Sequence, residues 1–110
     1  MTDEYLVERG YKEYAPGPWD HDGVEKRFQK RFDDEVGKRY FIDVVKWKPF
    51  KHPHTGETFG PDYTYETQMY KKKTHDAVNF EFHSSWKLED VEDFMRKQFS
   101  TWLYDYYELW

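Results

Sequence analysis

A chain of 110 residues has room for one domain and a single core. Aromatic residues make up 22% of it and the net charge is only −5, which sets it apart from disordered segments, poor in aromatics and heavily charged. With no cysteine, disulfides, thiolate chemistry and zinc–thiolate sites are excluded, and no apolar run approaches the roughly 20 residues of a membrane-spanning helix.

The chain starts acidic, Met1-Thr2-Asp3-Glu4-Tyr5, without the basic and apolar regions of a signal peptide. We therefore expect a cytoplasmic protein with no membrane contact. Residues 1–23 read as an irregular N-terminal arm, with one helical turn or an extended stretch around Tyr5, Leu6 and Tyr11. Pro16 and Pro18 stop any regular element, because each lacks an amide donor and fixes φ. Trp19 is expected to tuck against the core, and Asp20-His21-Asp22-Gly23 reads as a turn.

Val24, Phe28 and Phe32 recur at a spacing of four, which suits a helix face or one side of a strand. The next fifteen or so residues decide for strand. Residues 33–38 end in Gly37-Lys38 like a hairpin loop, and 39–48 are dense in β-branched and aromatic residues. Residues 25–33 and 39–48 thus form a first antiparallel hairpin. Three prolines and two glycines mark 49–62 as a long loop. A second hairpin pairs 63–71 with 78–83, the latter alternating strictly between apolar and polar.

Leu88, Val91, Met95, Phe99, Trp102, Tyr106 and Leu109 form an apolar stripe at the helical period, so 87–110 is a helix. Glu89, Asp90, Glu92 and Asp93 crowd its first turns, where carboxylates favour the positive end of the dipole, and Ser85 is a candidate N-cap. The fold class is α+β in one domain: about four antiparallel strands, packed on one face by the C-terminal helix. The core should be small and aromatic, with tyrosine hydroxyls at its rim.

Alternation then sorts the side chains. Phe28, Phe32, Tyr40, Ile42, Val44, Tyr65, Met69, Val78, Phe80 and Phe82 face the helix. Arg27, Gln29, Arg31, Phe41, Asp43, Val45, Trp47, Glu66, Gln68, Tyr70, Lys72, Asn79, Glu81 and His83 face away, toward solvent, the arm or a partner. Aromatic rings flanked by cations can hold single-stranded nucleic acid, and Arg27, Arg31, Trp47, Tyr70 and Lys72 would serve. Asp43, Glu66 and Glu81 on the same face would repel phosphate, which disfavours that use. Asp43, Glu66, Glu81 and His83 could form an acid–base cluster, yet no nucleophile accompanies them. His52-Pro53-His54 lacks zinc-site spacing and a third ligand. No cofactor, metal site or catalytic residue is expected.

The run Phe28-Gln29-Lys30-Arg31-Phe32-Asp33-Asp34-Glu35-Val36-Gly37-Lys38-Arg39-Tyr40-Phe41-Ile42-Asp43 resembles small uncharacterised phage and prophage open reading frames. The similarity extends to Pro16-Gly17-Pro18-Trp19 and to the acidic start of the last helix. It brings no activity and no functional residues. It implies an accessory protein working inside a bacterial host. The expectation is a non-catalytic binder of another protein, or of a second copy of itself. Its contact surfaces would be the open sheet face (Phe41, Val45, Trp47, Tyr70) and the aromatic end of the helix (Tyr104, Tyr107, Trp110).

Overall fold

The computed structural model describes residues 1–33, 38–71 and 77–108, with the side chains of 33, 38, 71 and 101–108 outside that description. The chain runs α1 (Asp3–Glu8), β1 (Lys12–Tyr14), β2 (Val24–Asp33), β3 (Lys38–Trp47), β4 (Phe50–Lys51), β5 (Thr58–Phe59), β6 (Asp62–Lys71), β7 (Ala77–Phe80) and α2 (Leu88–Glu108). The architecture is α+β. Five antiparallel strands lie in the order β1-β2-β3-β6-β7, and β4 and β5 make a separate small ribbon. Residues 24–33 are strand, and pairing of β3 with β6 joins the two expected hairpins into one sheet.

The N-terminal arm is irregular only in part, since it holds α1 and β1. Thr2 caps α1, its hydroxyl accepting from the Tyr5 amide at 3.1 Å, and Asp3 and Glu4 fill the first turn. Gly10, at φ 93°, turns the chain out of the helix while its amide donates to the Val7 carbonyl. Lys12–Tyr14 then adds a fifth strand beside β2. Trp19 does not reach the core; it is 85% exposed and lies over Gly17. Within the 49–62 loop, His52 and Glu57 close the β4–β5 ribbon, with the His52 Nδ1 accepting from the amides of His54 and Thr55. Residues 34–37 of the expected 33–38 loop lie outside the described residues, as does the polar turn expected at 73–76 between the strands of the second hairpin.

Both helices cover the same face. Leu6 from α1 and Leu88, Val91 and Met95 from α2 close over Phe28, Tyr40, Ile42, Val44, Tyr65 and Met69, all buried. Rings extend this core: Phe32 stacks on Tyr40 at 4.4 Å, Tyr40 meets Phe99 at 4.7 Å, and Phe94 lies 5.3 Å from both Phe80 and Phe82. Of the tyrosine hydroxyls, Tyr63 donates to Asp3 and Tyr65 to the Trp86 carbonyl. Tyr11 departs from the rim pattern: its hydroxyl is buried without a partner among the described residues, and burial raises its pKa. Strand β7 ends at Phe80, earlier than its alternation suggests, and the chain turns toward α2. Ser85 does not cap that helix; its hydroxyl pairs with His83 at 2.8 Å, while the Lys87 carbonyl accepts from Asp90 and Val91.

The register breaks once. Val24 pairs with Trp47 and Lys26 with Lys46, so Glu25 is a bulge residue. From Lys26 onward β2 keeps Phe28 and Phe32 in the core, but the bulge moves Val24 to the opposite face. On the core face the strand ends carry Lys26 and Lys46, and these clamp α1. Asp3 lies 2.9 Å from Lys26 and 3.1 Å from Lys46, and accepts from the Tyr63 hydroxyl at 2.9 Å. Arg9 pairs with Glu92 at 2.7 Å, and Tyr5 donates to Glu89, tying α1 to α2.

Partial burial alone would raise the Asp3 pKa, but its hydrogen bonds from Lys26, Lys46 and Tyr63 outweigh this and hold it down at about 2. Asp3 therefore stabilises the fold above the ordinary carboxylate pKa of 3.8, and this contribution disappears as pH falls from there toward 2, because the unfolded chain takes up the proton first. The urea midpoint of Asp3→Asn should lie below that of the parent at pH 5, with the difference shrinking steadily toward pH 2. A pH-independent difference would contradict this role.

Candidate functional site on the uncovered face of the sheet

The face opposite the helices is built by register. Arg27, Val45 and Thr64 form one row across β2, β3 and β6; Gln29, Asp43 and Glu66 form the next; Arg31, Phe41 and Gln68 the third, continued by Asn79 on β7. Arg39 and Tyr70 make a fourth row, in which the Arg39 Nη1 donates to the Tyr70 hydroxyl at 2.7 Å. The guanidinium carbon sits 5.6 Å from the Tyr70 ring centre, within cation–π range.

Arg27 organises this face. Its Nε and Nη2 both donate to Asp20, the shortest contact being 2.6 Å, and its Nη1 donates to Glu66 at 2.8 Å and approaches Asp43 at 3.5 Å. Asp20 reaches it from the segment before β2, where the Gly17 amide also donates to its carboxylate at 2.9 Å. The guanidinium fork thus pins the arm across the end of the sheet. Its bonds to Asp20 and Glu66 raise the Arg27 pKa, and Arg27 lowers that of Asp20.

Asp43 differs. Burial raises its pKa, only partly offset by the Gln29 amide donating at 2.8 Å and by the charge of Arg27, while Glu66 and Asp20 push it further up.

The sequence-derived surface residues separate into three groups. Phe41, Trp47 and Tyr70 are half-buried on this face. Trp47 is held by its indole N–H donating to the Thr64 hydroxyl at 2.8 Å and by the His21 ring at 5.8 Å. Val45 shares the face but is 1% exposed, so it supports the surface from beneath instead of offering area. Lys72 and Trp110 lie outside the described residues, as do the side chains of Tyr104 and Tyr107 at the end of α2.

Arg31 stands in the Phe41 row. Asp43 and Glu66 are brought together by Arg27, and Glu66 and Glu81 line a shared cavity of about 560 Å³ with Phe41, Thr64, Gln68 and Asn79. His83 is absent from that lining and serves the turn before α2, its Nδ1 accepting from the Ser85 amide at 3.1 Å. Among the described residues no group of three or more His, Asp or Glu side chains could hold a metal ion, and no helix is long and apolar enough to cross a membrane.

Sequence reasoning missed Asp20 and Gly17 as parts of this face. The signal lay in Asp20 standing between a proline turn and a cation-rich strand. The chain matches no family model, no curated protein and no solved structure, so its chemistry is read from this geometry.

The raised pKa of Asp43 fixes the sign of its effect. A carboxyl that holds its proton more tightly when folded lowers stability as pH rises through and above the ordinary carboxylate range. Asp43→Asn keeps an acceptor for Gln29 and removes the charge. It should raise the urea midpoint at pH 7, with the gain fading as pH falls toward the ordinary carboxylate pKa of 3.8. Destabilisation at pH 7 larger than about 1 kcal/mol would show that Arg27 depends on the ionised carboxylate.

Proposed function

We propose that this protein acts without catalysis, by binding another protein through the uncovered face of its sheet, as a phage- or prophage-type accessory factor inside a bacterial host. The observation that supports this reading is a face on which Arg27, Asp43 and Arg39 are already partnered around half-exposed rings. Arg27 has Asp20 and Glu66, Asp43 has Gln29, and Arg39 has Tyr70. Polar groups paired in advance cost less to desolvate on association, and an aromatic ring seated among them is the usual energetic anchor of an interface. Phe41 and Tyr70 supply such anchors, with Trp47 packed beneath the arm at the edge. The aromatic end of α2 (Tyr104, Tyr107 and Trp110) extends the same proposal.

The alternative, single-stranded nucleic acid on this face, is weaker. Phosphate binding needs cations whose donors are free to displace counterions. Arg27 directs its donors to carboxylates, and Asp43, Glu66 and Glu81 add negative charge beside the rings.

Phe41→Ala and Tyr70→Ala should each release the same host protein from the immobilised chain, weakening capture by about 2 kcal/mol, roughly thirtyfold. Val7→Ala, on the exposed outer side of α1, should retain it. Retention by both ring variants, or salt-dependent binding of fluorescent oligothymidine that both variants lose, would overturn the reading in favour of the alternative.

A further inference from the structure

Strand β6 is paired unequally on its two sides. β3 accompanies it along its whole length from Asp62 to Lys71, whereas β7 accompanies only Thr67 to Tyr70. Among the described residues, the outer edge of Asp62–Glu66 has no strand beside it. Continued in register, β7 would set Glu81 against Glu66 and Phe82 against Tyr65. The chain instead leaves at Phe80, whose carbonyl accepts from the Thr67 hydroxyl at 3.0 Å, and Phe82 turns inward against Trp86 and Phe94.

A cavity lies on each side of this open edge. The first is the one that Glu66 and Glu81 share with Phe41, Thr64, Gln68 and Asn79 of the outer face, with Tyr65, Thr67, Phe80 and Phe82 at its inner wall. The second, also about 560 Å³, lies on the helix side and is lined by Tyr5, Tyr63, Tyr65 and Trp86, with Ser84 and Glu89. Side chains along an added strand alternate between the two faces of a sheet, so one set would meet Glu66 and Glu81 at the mouth of the first cavity and the other would enter the second.

We propose that Asp62–Glu66 is a strand-addition site for an extended segment of a partner protein in which basic and apolar side chains alternate. The unpaired edge supplies the backbone hydrogen bonds, Glu66 and Glu81 select the basic residues, and the tyrosines and Trp86 select the apolar ones. This rests on the protein-binding reading above and names the kind of partner. A second copy of this chain fits poorly: antiparallel pairing about Thr64 would set each Asp62 opposite a Glu66, and like charges directly opposite are destabilising. The outer edge of β1, three residues long, offers fewer backbone partners.

The probe is a capped heptapeptide of alternating lysine and valine, titrated into the full-length protein and followed by amide chemical shifts and hydrogen exchange. Binding should shift and protect amides of Asp62–Glu66 and shift Glu81, and should weaken as salt rises. Only one edge of an added strand bonds to the sheet. Methylating one alternate set of peptide amides should therefore weaken binding at least about tenfold, and methylating the other set should leave it unchanged. Glu81→Gln, at an exposed position, should weaken binding about threefold while leaving the thermal midpoint in place. Equal binding by both methylated peptides, equal binding by a glutamate–valine peptide, or no binding would each overturn the site. If the peptide fails while Phe41→Ala still releases the host partner, strand addition is wrong and the face reading stands. If the peptide binds and neither ring variant matters, the reverse holds.

Discussion

Everything in this structure depends on coverage of the sheet on one side only. Both helices lie on the face carrying Phe28, Ile42, Val44 and Met69, and Leu6, Leu88, Val91 and Met95 of the helices close the core over them. Among the described residues the opposite face has no helix, yet it includes buried Val24 and Val45 and partly buried charges. Apolar burial cannot satisfy those charges, so they must satisfy one another. Arg27 does this by bridging Asp20, Glu66 and Asp43. Deleting one member of such a group leaves the others unpaired, which costs more than the net value of the pairs themselves.

The same logic resolves the charge distribution along the chain. Residues 1–22 and 88–110 are each net acidic and the stretch between them is net basic, and much of that asymmetry is neutralised internally. Asp3 of the arm meets Lys26 and Lys46, Glu13 meets Lys26, and Asp20 meets Arg27. From the C-terminal helix, Glu92 meets Arg9. Acidic segments at either end thus dock onto cations presented by the strands and by α1, which is how a chain with few aliphatic residues holds its ends in place. The charges left over at the β6 edge, Glu66 beyond its bond to Arg27 and Glu81, are the ones that shape recognition there.

Side-chain alternation made most of this architecture legible. Tyr40, Ile42 and Val44 against Phe41, Asp43 and Val45 separates the two faces of β3 without any tertiary information, and the stripe Leu88, Val91, Met95 orients α2. What failed to show had short-range or long-range causes. Lys12–Tyr14 is too short to alternate visibly and becomes a strand only because β2 is beside it. Val24 shares the spacing of Phe28 and Phe32, and only the bulge at Glu25 moves it to the other face. Val45 reads as an exposed apolar residue, yet it is buried in its row between Arg27 and Thr64. Trp19 reads as a core anchor until Pro18 and the Asp20–Arg27 pair carry the chain past the core. The candidate site was legible as a list of residues, since strand register aligns Phe41, Asp43 and Glu66. Its organisation around Arg27, and the open edge of β6, depend on where other segments stop.

One face of the sheet is covered and the other is open, a difference that solvent paramagnetic relaxation measured ring by ring tests most directly. With a soluble paramagnetic probe, the ring protons of Phe41 and Tyr70 should relax strongly, and those of Phe28 and Tyr40 should stay protected. Equal protection of all four rings would mean that something covers the outer face, and would contradict the account.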